Sequence, residues 1–340
     1  MTTFVEHQIL APTTIPGLVL RGFEGPSDFP KMLAVINSAK IVDDDQRSKT
    51  VEELANSYAH MHHCNPFTDM CFAELDGEVL GYSRVHWEVD ETPQFLGFHF
   101  AFVKAEWRQR GIGSALLGFN EQRLRQIAAQ LKASGEIAAD LPCIGDVFAT
   151  ETYHDTIALL EANGYQAVRH TFDMVRPDLE NIPDLPLPPG LEVRPVQPEH
   201  LRLVWEASNE AFRDHWGYIP DPWEEFEKLQ SSPNFDPSLW RVAWCGDQIA
   251  GMVLSFIDKS QNEEYQRKRG YTENICVRRP WRGAGLAKAL IALSLQELKA
   301  RGMTEAALGV DAENISGATH LYEKMGYRVV KHGTIYQKPL

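Results

Sequence analysis

The sequence predicts an α/β protein built from two tandem copies of one domain, and three observations predict it. Trp107-Arg108-Gln109-Arg110-Gly111-Ile112-Gly113-Ser114-Ala115-Leu116 recurs without a gap, 174 residues on, as Trp281-Arg282-Gly283-Ala284-Gly285-Leu286-Ala287-Lys288-Ala289-Leu290. Two further segments recur in the same order: Leu18–Arg21 with Leu191–Arg194, 173 apart, and Leu159–Tyr165 with Leu321–Tyr327, 162 apart. Between the copies, prolines stand at 177, 183, 186, 188 and 189, a density that no helix or central strand tolerates. The division is therefore an N-terminal domain over 1–176, a linker over 177–190 and a C-terminal domain over 191–340. A length of 340 residues, beyond the usual growth of one hydrophobic core, agrees.

Within each copy the elements follow in one order. Phe72–Tyr82 holds two strand-like runs around Asp76-Gly77, a hairpin pattern, and Arg241–Gly251 repeats it. An apolar strand comes next, Leu96–Val103 or Asn274–Val277. The glycine-rich turn then leads into a helix, Ser114–Leu131 or Leu286–Arg301, with leucine and alanine at i, i+3 and i+4 spacing. A strand over Ala306–Val310 and a helix over Ile315–Met325 lead to Gly326, a glycine placed to end a helix. The slip in offset from 174 to 162 gives the first copy about twelve extra residues, expected within Ser134–Pro142.

Composition narrows the function classes. Hydrophobic residues make up 44% and charged residues 24%, as in ordinary globular proteins, and no apolar run is long enough to span a bilayer. Residues 1–13 lack the basic and apolar regions of a secretory leader. The cysteines at 64, 71, 143, 245 and 276 match neither a disulfide framework nor paired zinc spacing, and a reducing cytoplasm is expected. A formal charge of −14 argues against nucleic acid as partner and mildly favours a neutral or cationic acceptor.

The glycine turn carries the first chemical signal. Arg-x-x-Gly-x-Gly/Ala between strand and helix leaves backbone N–H groups free at a helix N-terminus, and its small residues let a diphosphate approach closely. Neither turn completes the dinucleotide-binding Gly-x-Gly-x-x-Gly within an initial βαβ unit, and no Gly-Lys-Ser/Thr of a P-loop appears. A tight packing turn without a ligand is the alternative.

On these residues the chain resembles a tandem member of the GCN5-related N-acetyltransferase (GNAT) superfamily, over nearly all of both halves. The resemblance implies that each domain is a mixed, mostly antiparallel twisted sheet flanked by helices. It implies acetyl-CoA as co-substrate, held in the second copy by Ile275 and Val277 along the pantetheine arm. Arg282, Gly283, Ala284, Gly285, Leu286, Ala287 and Lys288 would then wrap the pyrophosphate. Val103, Arg108, Gln109, Arg110, Gly111, Ile112, Gly113 and Ser114 are the matching residues of the first copy. Asn314, after Asp311-Ala312-Glu313, fits a recurrent asparagine near the cofactor arm; a helix N-cap is its other reading.

Transfer to an amine needs a proton for the departing thiolate and a base for the amine. Tyr322 stands where the superfamily commonly places the acid, and its phenol is protonated at neutral pH; packing against the sheet is its alternative role. Leu160 replaces it in the first copy, and Thr152 stands where Asn314 stands, so the first copy is expected to be non-catalytic, with or without bound acyl-CoA. Glu273 is the candidate base. Strand alternation would put it on one face with Ile275 and Val277, and His99 matches it by offset; a structurally paired carboxylate is the other reading.

The aromatic and polar stretch Phe212–Trp223, with Asp214 and His215, is the candidate acceptor lining, or else a satellite core under a loop. Tyr265, Arg267, Lys268 and Arg269 could meet an anionic group, or form a solvated charge run. His60-Met61-His62-His63-Cys64 has the composition of a metal site, but adjacent ligands seldom converge and no second cluster partners them in sequence, so no metal is expected. The expected function is acetyl-CoA-dependent N-acetyl transfer to a primary amine of a small molecule, by direct attack in a ternary complex, in a cytoplasmic monomer or homodimer without membrane partner. A non-enzymatic acyl-CoA sensor and a protein N-terminal or lysine acetyltransferase are the alternatives.

Overall fold

The computed structural model describes residues 15–340, apart from 47, 90–93 and 315–316. The chain forms two compact units: residues up to Arg169 together with Gly333–Leu340, and His170–His332.

In the first copy's stretch of sequence, β1 (Val19–Arg21) is followed by helices α1 (Phe29–Asp43), α2 (Val51–Ala59) and α3 (Pro66–Asp69). Strands β2 (Met70–Leu75), β3 (Glu78–Val89) and β4 (Phe95–Val103) come next, then α4 (Ile112–Ser134), β5 (Cys143–Thr150), α5 (His154–Ala162) and β6 (Gln166–Arg176). The second copy's stretch repeats the plan with β7 (Glu192–Arg194), α6 (Leu201–Phe212), α7 (Trp223–Gln230), β8 (Arg241–Cys245), β9 (Gln248–Phe256), α8 (Lys259–Glu264) and β10 (Arg269–Val277). It ends with α9 (Leu286–Ala300), β11 (Glu305–Asp311), α10 (Ala318–Lys324) and β12 (Arg328–Pro339). Among the described residues no helix is long and apolar enough to cross a membrane.

Each sheet is mixed and mostly antiparallel, as expected. In the first, β1 to β4 pair antiparallel in sequence order and β4 runs parallel to β5. In the second, β7 to β10 do the same and β10 runs parallel to β11. The sixth strand of each sheet is supplied from the other copy's stretch of sequence. Gly333–Pro339 of β12 pair antiparallel with β5, and Thr171–Arg176 of β6 pair antiparallel with β11.

The predicted hairpins form. Asp76 and Gly77 both take the left-handed conformation, φ 50° and 85°, between β2 and β3, the geometry that matches strand twist. Gly246 does so between β8 and β9. The extra residues of the first copy are placed differently from expectation. Eight lengthen a helix, since α4 has 23 residues against 15 in α9. Leu124, Ile127, Ala128 and Leu131 continue its apolar face, and Ile137 and Leu141 of the following loop fold back onto the same core. Only the remainder of the insertion falls in the loop. The Pro-rich stretch after Arg176 has no regular structure but is not free in solvent. Leu179 is buried in the second unit's core, with Ile182, Leu185 and Leu187 packed against it. The Arg176 guanidinium donates to the carbonyls of Asp178, Glu180 and Met325.

Polar contacts also hold the terminal strand to the first sheet. Gln337 donates to Asp146 at 2.8 Å and Lys338 pairs with Glu121 at 2.7 Å. Deleting Gly333–Leu340 should therefore expose the edge of β5 and leave both carboxylates without these partners. Hydrogen exchange of the 144–150 amides is expected to quicken by about tenfold or more, while 248–256 keeps its protection.

Candidate active site

The second unit's site is built on an irregularity in β10. Glu273 is paired with Leu254 and Cys276 with Met252, so three steps on β10 match two on β9. The extra residue is Asn274, left-handed at φ 46°. Asparagine is among the few non-glycine residues that tolerate this conformation. The bulge reverses the facing of everything after it. Thr272 bonds Tyr327 on the α9 side, yet Ile275 and Val277 also pack on that side, while Cys276 joins the α6 cluster. Glu273 therefore does not share a face with Ile275 and Val277, which corrects the alternation expected from sequence.

The bulge also corrects the correspondence between copies. Gly97 lies against Leu124, where an added Cβ would approach to 2.7 Å, and Gly270 lies against Leu298 in the same way. His99 bonds the Tyr165 hydroxyl at 2.8 Å, as Thr272 bonds that of Tyr327 at 2.8 Å. Upstream of the bulge the copies are thus 173 residues apart. His99 occupies the place of Thr272, and Phe100 that of Glu273. In the first unit β4 pairs with β3 without any register shift. The signal was present in the sequence: Gly97 and Gly270 are separated by one residue less than the tryptophans of the turn.

Beyond Tyr271, β10 no longer pairs with β11, and a cleft opens between them. Arg278 N–H turns back to the Ala250 carbonyl at 2.9 Å, so the alternate residue Val277 presents its backbone polar groups to the cleft edge. Its carbonyl accepts Arg282 Nε at 2.9 Å. The turn follows, with Gly283 and Gly285 left-handed at φ 80° and 88°. Gly285 opens α9, so the N–H groups of Leu286, Ala287 and Lys288 have no carbonyl a turn before them to bond. Residues 282–285 and Lys288 are exposed.

Glu273 is half-buried beside this cleft. Its Oε1 accepts the Gly309 N–H at 3.3 Å. Burial, opposed by the Gly309 bond and helped by the Asp173 charge, pushes its carboxyl up to about 7. Tyr322, on α10, is 6% exposed and meets Tyr327 edge-on at 6.2 Å. Burial raises its phenol above the ordinary range, and the Glu273 charge acts in the same direction. Among the described residues its hydroxyl has no hydrogen-bond partner. Asn314 does not cap α10, because the cap is Gly317, whose N–H closes a turn onto the Asn314 carbonyl at 3.2 Å. Ile315, with which that helix was expected to begin, lies outside the described residues.

Other predicted residues lie away from the Glu273 carboxyl. Asp214 is held by Arg279 and Arg282, and these two guanidinium groups keep its carboxyl well below the usual range. It borders the turn. His215 packs edge-on against Phe212 at 4.7 Å, and burial lowers its imidazole. Arg267 donates to the Tyr271 hydroxyl at 3.3 Å, and Arg269 pairs with Glu305 at 2.7 Å. Thr272, Asn274, Asp173 and Gly309 were not anticipated. Asp173 and Gly309 face each other across β6 and β11, a pairing that no local pattern announces.

The first unit's turn is engaged by acids. Arg108 makes a two-pronged pair with Asp43, both bonds 2.6 Å, and Gln109 donates to Asp155 at 2.9 Å. Arg110 stacks over Trp107. Arg108's side chain is 12% exposed against 42% for Arg282. Gly111 starts α4 at φ 87°, Leu159 of α5 lies 3.3 Å from where a Cβ of Gly113 would be, and Gly317 replaces Asp155 in the second unit. Leu160 is buried where Tyr322 would stand.

The model of the acetyltransferase (GNAT) family matches residues 38–139 and again 201–327, two thirds of the chain. The chain belongs to the acetyltransferase (GNAT) family. This GNAT protein is a tandem one, with the layout of mycothiol synthase. It is 26% identical over 310 residues to the mycothiol acetyltransferase of Geodermatophilus obscurus, covering 89% of this chain and 91% of the relative. With that of Thermobispora bispora the identity is 29% over 226 residues, 66% and 70% of the two chains. Among solved structures, a GCN5-related N-acetyltransferase from Sphaerobacter thermophilus superposes with TM-score 0.71 at 24% identity, over 96% of each chain. A tandem GNAT protein from the clavulanic acid biosynthesis pathway does so with TM-score 0.69 at 13% identity, over 95% and 98%.

The raised carboxyl of Glu273 predicts a conflict between stability and chemistry. Its contribution to stability is complete below its ordinary value of 4.5 and is lost as pH rises through about 7. Glu273→Gln should therefore raise stability at pH 8 by up to about 3 kcal/mol and leave it nearly unchanged at pH 4. Thermal unfolding at the two pH values measures this.

Proposed function

We propose that this GNAT enzyme transfers an acetyl group from acetyl-CoA to the primary amine of a small molecule, by direct attack in a ternary complex, at the second unit alone. The observation that carries the reading is one carboxyl poised near 7 and, at the same cleft, one protonated phenol without a hydrogen-bond partner among the described residues. Glu273 takes the proton that the amine must lose. The amine nitrogen then bonds to the thioester carbonyl carbon, the C–S bond breaks, and Tyr322 gives its proton to the departing thiolate. A phenol held above its ordinary range stays protonated until that charge develops.

The residues fit the co-substrate. The free N–H groups at the start of α9 and the exposed glycine turn suit a diphosphate. The unpaired edge of β10 at Ile275 and Val277 suits an amide-bearing arm. In the first unit the corresponding residues are Val103, which ends β4, and Arg108–Ser114, the turn and the start of α4; Arg108 and Gln109 there are held by Asp43 and Asp155, and we read that unit as non-catalytic. The name shared by the relatives, mycothiol acetyltransferase, supports a small acceptor.

Release of CoA thiol from acetyl-CoA across a panel of small amines tests the proposal. Tyr322→Phe and Glu273→Gln should each lower kcat by about 10²–10⁴-fold, and kcat/KM of the unmodified enzyme should fall as pH drops below about 7. Arg108→Ala should leave kcat unchanged. Full activity in Tyr322→Phe would remove the acid assignment, and no thiol release with any amine would favour a non-enzymatic acyl-CoA sensor.

A further inference from the structure

The His60–Cys64 segment joins α2 to α3 in the first unit. Adjacent side chains ordinarily diverge, but His63 is left-handed at φ 46°. Its ring lies 3.7 Å from that of His62. The fold adds what the local sequence lacks. Glu88, near the end of β3, accepts from His63 Nδ1 at 3.0 Å, and the Trp87 carbonyl lies 3.1 Å from the same nitrogen. The Trp87 ring stacks on His63 at 3.8 Å and 8°.

We propose that His62, His63 and Glu88 form a binding site for one divalent transition-metal ion of the Zn²⁺ class. One potential ligand atom from each residue lies within 4.8 Å of the other two. Donors bonded to a tetrahedral zinc at about 2.0–2.1 Å stand roughly 3.4 Å apart, so side-chain rotation suffices to close the set. Two imidazoles and a carboxylate suit zinc, cobalt or nickel rather than calcium or magnesium. Three protein ligands leave a position for water. The Trp87 ring, stacked on His63 at 3.8 Å, fixes the plane of that imidazole. All three residues are partly exposed, so an ion can enter.

His60 does not join the set, because its Nδ1 is turned to the Asn56 carbonyl at 2.9 Å. The left-handed backbone at His63 is strained for a non-glycine residue, and convergence of the two rings gives that strain a purpose.

The experiment titrates tag-free full-length protein with Co²⁺, read by visible absorption, and with Zn²⁺, read by calorimetry. One ion per chain is expected. Glu88→Gln, which keeps the shape of the side chain, and His63→Ala should each weaken binding by about tenfold or more, and His60→Ala should leave it unchanged. Circular dichroism of each variant separates loss of ligand from loss of fold. If folded Glu88→Gln and His62→Ala bind as tightly as the parent, or if neither ion gives saturable binding, the cluster is a stacked hydrogen-bonded pair of rings and the proposal is wrong.

Discussion

One inserted residue sets the facing of the second unit's site. Asn274 adds one residue to β10 opposite β9, just after β10 has stopped pairing with β11 at Tyr271. The parting, which β4 and β5 share beyond Phe98, leaves an edge at Val277, and the bulge decides which side chains face it. A carboxylate at this depth needs a partner, and the Gly309 N–H supplies it because the strands have parted.

The first unit shows what the same plan becomes without the bulge. Its strand is regular, a phenylalanine stands in place of the carboxylate, and its Thr272 counterpart is a buried histidine whose imidazole is lowered to about 4 by burial. His99, Asn120 and Tyr165 form a polar interior network where the second unit has Thr272 and Tyr327. The acids beside Arg108 and Gln109 satisfy at the turn the charge that a diphosphate would otherwise satisfy. The first unit's strands still part beyond Phe98, so what it lacks is the bulge, the carboxylate and an open turn.

The sequence made legible what is encoded locally. Asp76-Gly77 specifies a hairpin turn, glycine before an amphipathic run specifies the start of α4 and α9, and the repeat discloses two similar sheets. The identity of Tyr322 and its replacement by Leu160 were readable because both lie in an ungapped stretch of the repeat. Glu273 could be picked out but not correctly faced, since alternation holds only in a regular strand. The Asp173–Gly309 pairing and the approach of Glu88 to His63 join positions distant in sequence, so no spacing rule reaches them. Exchange of the sixth strands was equally hidden, because the two copies read alike from start to finish.

That exchange imposes an order on the birth of the protein. A nascent chain emerging from the ribosome makes β1 to β5 first, yet the strand that closes their sheet is translated only after the whole of the second unit. The early sheet must wait with an open edge, the kind of surface on which chains aggregate. The later sheet has its sixth strand, residues 171–176, in hand before its first. Vectorial synthesis therefore favours completing the second unit ahead of the first.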